Sequence, residues 1–557
     1  LEFRRVLFRS EVAGIVQSTE NKVISSLTVA ALDDWEKGKE DLISYASQTP
    51  TSGMGEQALA AVVLSSKEKG DIRTLLTTGA DLVRQYPTSP KVEGTLNAMI
   101  DGSLRMAQFR LTADYLESFS LRLPDHKNAK DFLLQAARIR AGLGQHDLAA
   151  KDYRQLLSMR SVNGAMMNEA VFGASDSLLA RGETGASIEV LTEHRDRLGE
   201  AGRIRAEART AALLIESGEA GRAEASLKRV EKSPARKISD TDPAAARDLA
   251  RMTYASTSLQ LREYMELKLS GQIDNDVVAR KTALLERLEK GYQEVMLSRS
   301  PEWALKACYQ ASSINREFAR FLEEAPIPAE LSPEEQEQYA QIIEEKAQAY
   351  RDKADQYLQT AVQQGRKWEI CDPGLAWYCN HAAEPGSAPA RVATFAGTSA
   401  SAEIGGQCLL DQELKAIHER LLKEKPDQGT LLDLCTAYMQ RGDYRHATLI
   451  ALKALDEKSG ASPDVTADLQ NALGVSRLHL GEDCLARDAF RGAISALPTH
   501  VGARVNLAAL LTHYGHTVQA QEIYAGLPAL SEIEKTEDVI HPRAKELYHA
   551  SIQISKK

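Results

Sequence analysis

The stretch Ala467–His500, ADLQNALGVSRLHLGEDCLARDAFRGAISALPTH, decides the fold of this 557-residue chain. Leu473-Gly474, Gly481, Ala486, Phe490, Ala493 and Pro498 divide it into two helices joined at a glycine. Small residues at Gly474 and Ala486 let the two helices approach closely, ridge into groove. Gly481 supplies the left-handed backbone that ends the first helix, a conformation that a Cβ resists. Phe490 fills the space toward the next hairpin, and Pro498 stops the second helix because it cannot continue the hydrogen-bond ladder.

The same pattern returns 34 residues later as Leu507-Ala508, Gly515, Ala520, Tyr524 and Leu527-Pro528. One unit upstream, Leu434, Tyr438, Gly442, Ala447 and Ala454 match again, with extra residues around Lys458 to Pro463 lengthening the connection. A looser version runs through the first half: Gly70 with Leu82 and Pro87, Ala107 with Phe119 and Pro124, then Gly144 with Ala149, Tyr153 and Leu156. Gly182 with Leu191, and Gly218 with Ala223 and Leu227, continue it at intervals of 36 to 38 residues. Self-similarity of this period marks stacked helical hairpins. The spacing L-G, G, A, F, A, P resembles the tetratricopeptide repeat (TPR) family. The resemblance implies an all-α fold, an α-solenoid of TPR-like helical hairpins forming a right-handed superhelix; a flexible linker before the C-terminal array is expected from composition. The resemblance also implies a protein or peptide partner, received on a concave wall lined by the first helix of each hairpin.

Composition agrees with that class. Hydrophobic residues make up 43% of the chain and aromatics only 6%, which suits close-packed helices better than sheets. A net charge of −10 disfavours nucleic acid as a partner, because phosphate binding requires a basic surface. No run of about 18 apolar residues occurs, so no membrane span is expected. The opening LEFRRVLFRS (1–10) resembles the translation of a sequencing-library adapter and is set aside as an artefact.

The expected divisions are divergent TPR-like hairpins over 11–250, a long-helix TPR-like region over 251–383, a linker over 384–411 and the C-terminal array over 412–557. The linker reading rests on EPGSAPARVATFAGTSASAEIGG (384–406), rich in Ala, Ser, Gly and Pro and without sustained period. In the long-helix region, Ser332-Pro333-Glu334-Glu335 predicts a helix start with Ser332 as N-cap, Pro333 at the first position and Glu335 closing a capping box. That helix is expected to run through Tyr339, Ile343, Tyr350 and Tyr357 to Gln364, with Gly365 past its end. The order Trp303, Ala307, Phe318-Ala319, Pro326-Ile327-Pro328, Leu331, Glu335, Tyr339 resembles a stretch in large envelope- and gliding-associated TPR proteins of deltaproteobacteria. In that resemblance Ser312 or Ser313 replaces the usual glycine between paired helices.

No carboxylate pair, Ser/His/Asp order, phosphate-cradling glycine loop or H-E-x-x-H string is present, so the chain is read as non-enzymatic, with no cofactor. His513, His516 and His479 lack carboxylate or Cys company, and Cys371, Cys379 and His381 fit no common zinc spacing, so no metal is expected. Cys435 and Cys484 read as core thiols, whereas a Cys371–Cys379 disulfide is open if the compartment is oxidising. On the concave wall the outward positions are Thr436, Gln440, Asn471, His479, Asn506 and His513. Asn side chains offer a donor and an acceptor to the backbone of an extended ligand; a plain solvated polar face is the other reading. The wall lacks the Lys/Arg placements of the chaperone-tail carboxylate clamp. The resulting expectation is a protein-binding scaffold of a bacterial envelope assembly, in the periplasm or cell envelope. The alternatives are a cytoplasmic regulatory TPR peptide sensor and, remotely, an enzyme hidden in the middle region.

Overall fold

The computed structural model describes residues 34–48, 53–233, 241–269, 274–328, 330–372, 374–375, 404–423, 426–456, 462–528, 530–533 and 538–555. The adapter-like residues 1–10, Cys379, His381 and most of the expected linker lie outside them. Among the described residues every regular element is a helix.

In chain order the first seven are α1 (Trp35–Gln48), α2 (Gly53–Lys69), α3 (Ile72–Gln85), α4 (Val92–Arg105), α5 (Phe109–Arg122), α6 (Ala129–Gly142) and α7 (His146–Ser158). Then follow α8 (Gly164–Ala180), α9 (Thr184–His194), α10 (Glu200–Glu216), α11 (Ala220–Lys232), α12 (Pro243–Ser258), α13 (Leu261–Glu266), α14 (Asn275–Met296), α15 (Pro301–Glu323) and α16 (Pro333–Trp368). The remainder are α17 (Ile404–Lys423), α18 (Gln428–Gln440), α19 (Tyr444–Asp456), α20 (Pro463–His479), α21 (Asp483–Ala496), α22 (Val501–His513), α23 (Thr517–Ala525), α24 (Leu530–Ile533) and α25 (Pro542–Ser555).

The hairpin turns follow from the punctuation of the sequence. Gly70, Gly144, Gly182, Gly218, Gly442, Gly481 and Gly515 all take φ between +74° and +83°. Ala107 stands at the corresponding place with φ +51°. After each, the next N–H reaches back to the carbonyl five residues earlier, as from Asp443 to Tyr438 (2.9 Å), Glu482 to Arg477 (2.9 Å) and Gln108 to Ser103 (2.9 Å). That bond satisfies a carbonyl the helix end would otherwise orphan. Repeated helical hairpins are therefore the architecture of the described residues, an all-α solenoid.

The chain divides into two compact units, each drawing on two stretches. One comprises 1–162 with 399–465, the other 163–398 with 466–557. In the first, Arg140 of α6 is almost fully buried and holds Asp114 and Glu117 of α5 (2.8 and 2.7 Å) and Asp152 of α7 (2.6 Å). One guanidinium thus joins three successive helices. Within the same unit a Cβ on Gly142 would lie 3.1 Å from Leu449 of α19, so α19 seats on the end of α6.

In the second unit Arg205 and Arg209 of α10 share Asp248 of α12 (2.7 and 3.1 Å), and Arg205 lies over the Phe172 ring at 3.8 Å. The capping box at Ser332 and Glu335 forms as the sequence predicts, with Pro333 opening α16. Two details of this region differ. The helix passes through Gly365 to Trp368 and stops at Glu369 in the left-handed region (φ +48°). Gly365 is spent instead on packing, since a Cβ there would meet Leu375 at 2.6 Å. Nor is there a turn at Ser312 or Ser313: α15 runs unbroken from Pro301 to Glu323, and Ser312 is buried inside it. A serine without a following helix stop leaves the ladder intact. Finally, Ile404–Lys423 is helical, so residues 404–411 of the stretch read as linker belong to α17.

Candidate functional site: the first-helix face of the last hairpins

The last two hairpins, α20–α21 and α22–α23, are closed as their small residues require. A Cβ on Gly474 would lie 2.4 Å from the Phe490 ring, so α20 and α21 pack to the limit of contact. Phe490 therefore fills its own hairpin at Gly474. Ala486, Ala508 and Ala520 are buried.

On the other side of α20 and α22, Asn471 and Asn506 face each other one unit apart. Asn506 Nδ2 donates to Asn471 Oδ1 at 2.9 Å. Neither is open to solvent, contrary to the expectation of an exposed wall: they are 1% and 0% exposed. The covering element is the non-helical segment 538–541 of the same chain. Asn471 Nδ2 and Asn506 Nδ2 both donate to Val539 O (2.7 and 3.0 Å), and the His541 N–H donates to Asn506 Oδ1 (2.9 Å). At the front of the segment, the Gly502 N–H in the first turn of α22 donates to Asp538 Oδ2 at 2.6 Å. A carboxylate is favoured at that helix end, where free N–H groups and the helix dipole coincide. At the back, the His541 ring packs on His479 with centroids 4.4 Å apart.

The electrostatics of the face are set by burial. It pushes His479 down to about 4 and His513 to about 4; burial and the facing His479 push His541 to about 3. All three rings are neutral at pH 7. His500 behaves oppositely: burial works against its charge, but the hydrogen bond to Asp468 and the Asp538 carboxylate raise its pKa above the ordinary value.

Asp468, His500 and Asp538 also form a group whose ligand atoms lie within 4.8 Å of one another. His500 Nε2 is 3.0 Å from Asp468 Oδ1, and Nδ1 is 3.6 Å from Asp538 Oδ2 while accepting the Ala503 N–H at 3.1 Å. Each carboxylate thus lies beside a different ring nitrogen, and the Nδ1 lone pair is already taken by the Ala503 N–H. The arrangement positions Asp538 at the start of α22.

Of the other residues on the expected wall, Thr436 is half-buried, bonding its hydroxyl to Leu432 O (3.0 Å), and Gln440 is exposed; both belong to the first compact unit. His513 packs edge-on against Tyr514. His516 is buried at 3.3 Å from Ile370 O, so His479, His513 and His516 do not gather.

Cys435 is a core thiol, donating to Ala447 O at 3.4 Å. Cys484 is not: it lies half-exposed in the first turn of α21, hydrogen-bonded with the free thiol of Cys371. That bond and Arg487 hold the Cys484 thiol below its ordinary pKa, while the same bond and burial push Cys371 up. The pair is absent from any local spacing because 113 residues separate its members (484 − 371). Among the described residues Lys281 is the most enclosed lysine; burial pushes it down to about 8. Its Nζ donates to Leu267 O (2.8 Å) and approaches Glu317 (3.3 Å) between the Tyr264 and Phe321 rings, the environment of a structural cation.

No protein-family model matches this chain, and no curated protein matches it. Among solved structures, the chain is similar at 13% identity to one in the crystal structure of the APC/C hetero-tetramer Cut9–Hcn1, covering 97% of both chains with a TM-score of 0.22. A circular tandem repeat protein with novel repeat topology is matched at 15% identity over 93% of this chain and 97% of the other, with a TM-score of 0.14. Overlays this loose carry no argument about function, which rests on the geometry above.

Proposed function

We propose that this protein is a non-enzymatic interaction scaffold that holds polypeptide on the first-helix face of its hairpins. One observation supports this reading above the rest: Asn471 and Asn506 meet a main-chain carbonyl and a main-chain N–H of a non-helical segment. Recognition through the backbone tolerates many side chains, and pockets beside it select among them. The acidic net charge is consistent with protein rather than nucleic acid as partner.

The test is selection of peptides from a random 12-residue display library on the immobilised full chain. Selected peptides should bind an Asn471→Ala/Asn506→Ala variant at least tenfold more weakly, while its helical circular dichroism is unchanged. Peptides indifferent to both asparagines would remove this face from the account of function. A place in an envelope assembly is favoured by one observation only, the resemblance of the 303–339 stretch. No described helix is long and apolar enough to cross a membrane. Fractionation of the native host, with the chain recovered only from the cytosol, would replace that placement by the peptide-sensor reading.

A further inference from the structure

The segment on the asparagine face is held differently from the core around it. Asp538, Val539 and Ile540 are only half-buried, His541 alone being fully buried, and the bonds that seat the segment are polar and mostly run to its backbone. If the segment leaves, Asn471 and Asn506 keep their bond to each other, and water replaces the rest. The asparagine amides and the Gly502 N–H meet water once the segment departs, so the usual penalty for orphaning a buried polar group is small at these positions, and the buried contact that departure costs is the His541 ring on His479. The α20–α21 and α22–α23 hairpins, by contrast, are locked by close packing at Gly474 and by the buried alanines.

We propose that residues 538–541 are a tethered stand-in for an extended partner segment, and that a partner with the same pattern binds by displacing them. The pattern is read from the seat: a carboxylate at the start of α22, two apolar residues whose first carbonyl meets both asparagines, then a ring against His479. In this chain it is Asp538-Val539-Ile540-His541. The carboxylate seat is also lined by His500, so the pocket favours an acidic group at the first position. The seat is narrow. A Cβ on Gly502 would lie 2.7 Å from the Asp538 Cβ, so the segment approaches the helix to contact distance. This inference rests on the polypeptide-binding reading of the face and adds that the face is regulated by its own chain. Because the competitor is tethered, an incoming segment loses affinity by the fraction of molecules in which the seat is free.

The probe is a fluorescent synthetic peptide of residues 536–555 of this chain, titrated against the full chain and against full-chain Asp538→Lys. The substitution removes the carboxylate bonded to Gly502 and sets a cation beside His500. Expected is at least tenfold tighter binding to Asp538→Lys than to the unaltered chain, abolished when Asn471→Ala/Asn506→Ala is added. Equal binding to both chains would overturn the tethered-competitor proposal and leave the polypeptide-binding face standing. No binding to either chain would overturn both. Hydrogen exchange on the unaltered chain supplies the second arm. The His541 amide should exchange well before those of Leu507–Leu511 in α22, through release of the segment alone. Exchange of both together, or loss of helix in Asp538→Lys, would make the segment an integral cap and end the proposal.

Discussion

Ala107 and Gly442 occupy the same place in their hairpins and the same side of the φ axis, yet only one carries a Cβ. A left-handed residue with a Cβ costs about 1–2 kcal/mol. At Gly442 nothing lies within 4 Å of the space a Cβ would take, so the substitution is a test of backbone strain alone. Gly442→Ala should therefore destabilise by about 1–2 kcal/mol in urea unfolding, without change in the circular dichroism of the folded state. An unchanged midpoint would mean that the turn can relax out of the left-handed region.

Thiol chemistry belongs to this scale as well. Burial pushes Cys435 up to about 12 and Cys308 up to about 11, whereas Cys371 and Arg487 hold Cys484 below its ordinary value. Since the thiolate is the nucleophile, Cys484 should alkylate with iodoacetamide at pH 7 at least tenfold faster than Cys435, read by peptide mass spectrometry. Equal rates would contradict the placement of Cys484 beside Cys371. Sequence spacing made Cys435 readable as a core thiol, but Cys484 was not readable, because its partner arrives from a distant part of the chain.

Between elements, the decisive contact is the one at Gly474. Replacing a glycine inside an exposed helix by alanine ordinarily gains about 1 kcal/mol. Here the new Cβ would stand 2.4 Å from the Phe490 ring and force α20 and α21 apart. Gly474→Ala should thus be destabilising, by about 1–3 kcal/mol as in other overpacked cores, and a stabilised variant would show that α21 is free to shift. The small-residue pattern made this contact legible from sequence, because it demands proximity whatever the exact side-chain placement. Helix lengths were less legible: Ser312 and Gly365 read as breaks, yet both lie within helices. Neither is followed by a residue that stops the ladder, and tertiary packing then carries a helix through a poor former.

At the scale of the whole molecule, pH reports on the seated segment. Burial pushes His479, His513 and His541 down to about 4, 4 and 3 in the fold from an ordinary value of 6.5. Below pH 6.5 the unfolded or released state binds more protons than the native one, so stability falls as pH falls through that window. His500 opposes this: its raised value contributes stability below pH 6.5 that is lost as pH rises through the folded pKa. Asp152, pushed up to about 7 by burial, acts in the same sense as His500, but His146, His194, His418 and His516 are also pushed down by burial, so the groups that lose stability toward pH 5 outnumber those that gain it. Urea midpoints should decline from pH 7 to pH 5, with the His541 amide losing exchange protection first; a midpoint rising toward pH 5 would contradict the burial of these rings. What the sequence by itself determined is the helical hairpin and its turns at Gly442, Gly481 and Gly515. Those features are local or periodic, and each is specified by residues within one unit of 34 to 38 positions. Only the tertiary structure decided that 1–162 belongs with 399–465, that Cys371 meets Cys484, and that residues 538–541 cover the asparagine face. Such pairings join residues far apart in the chain by burial, whose driving force is non-directional and leaves no spacing in the sequence to read.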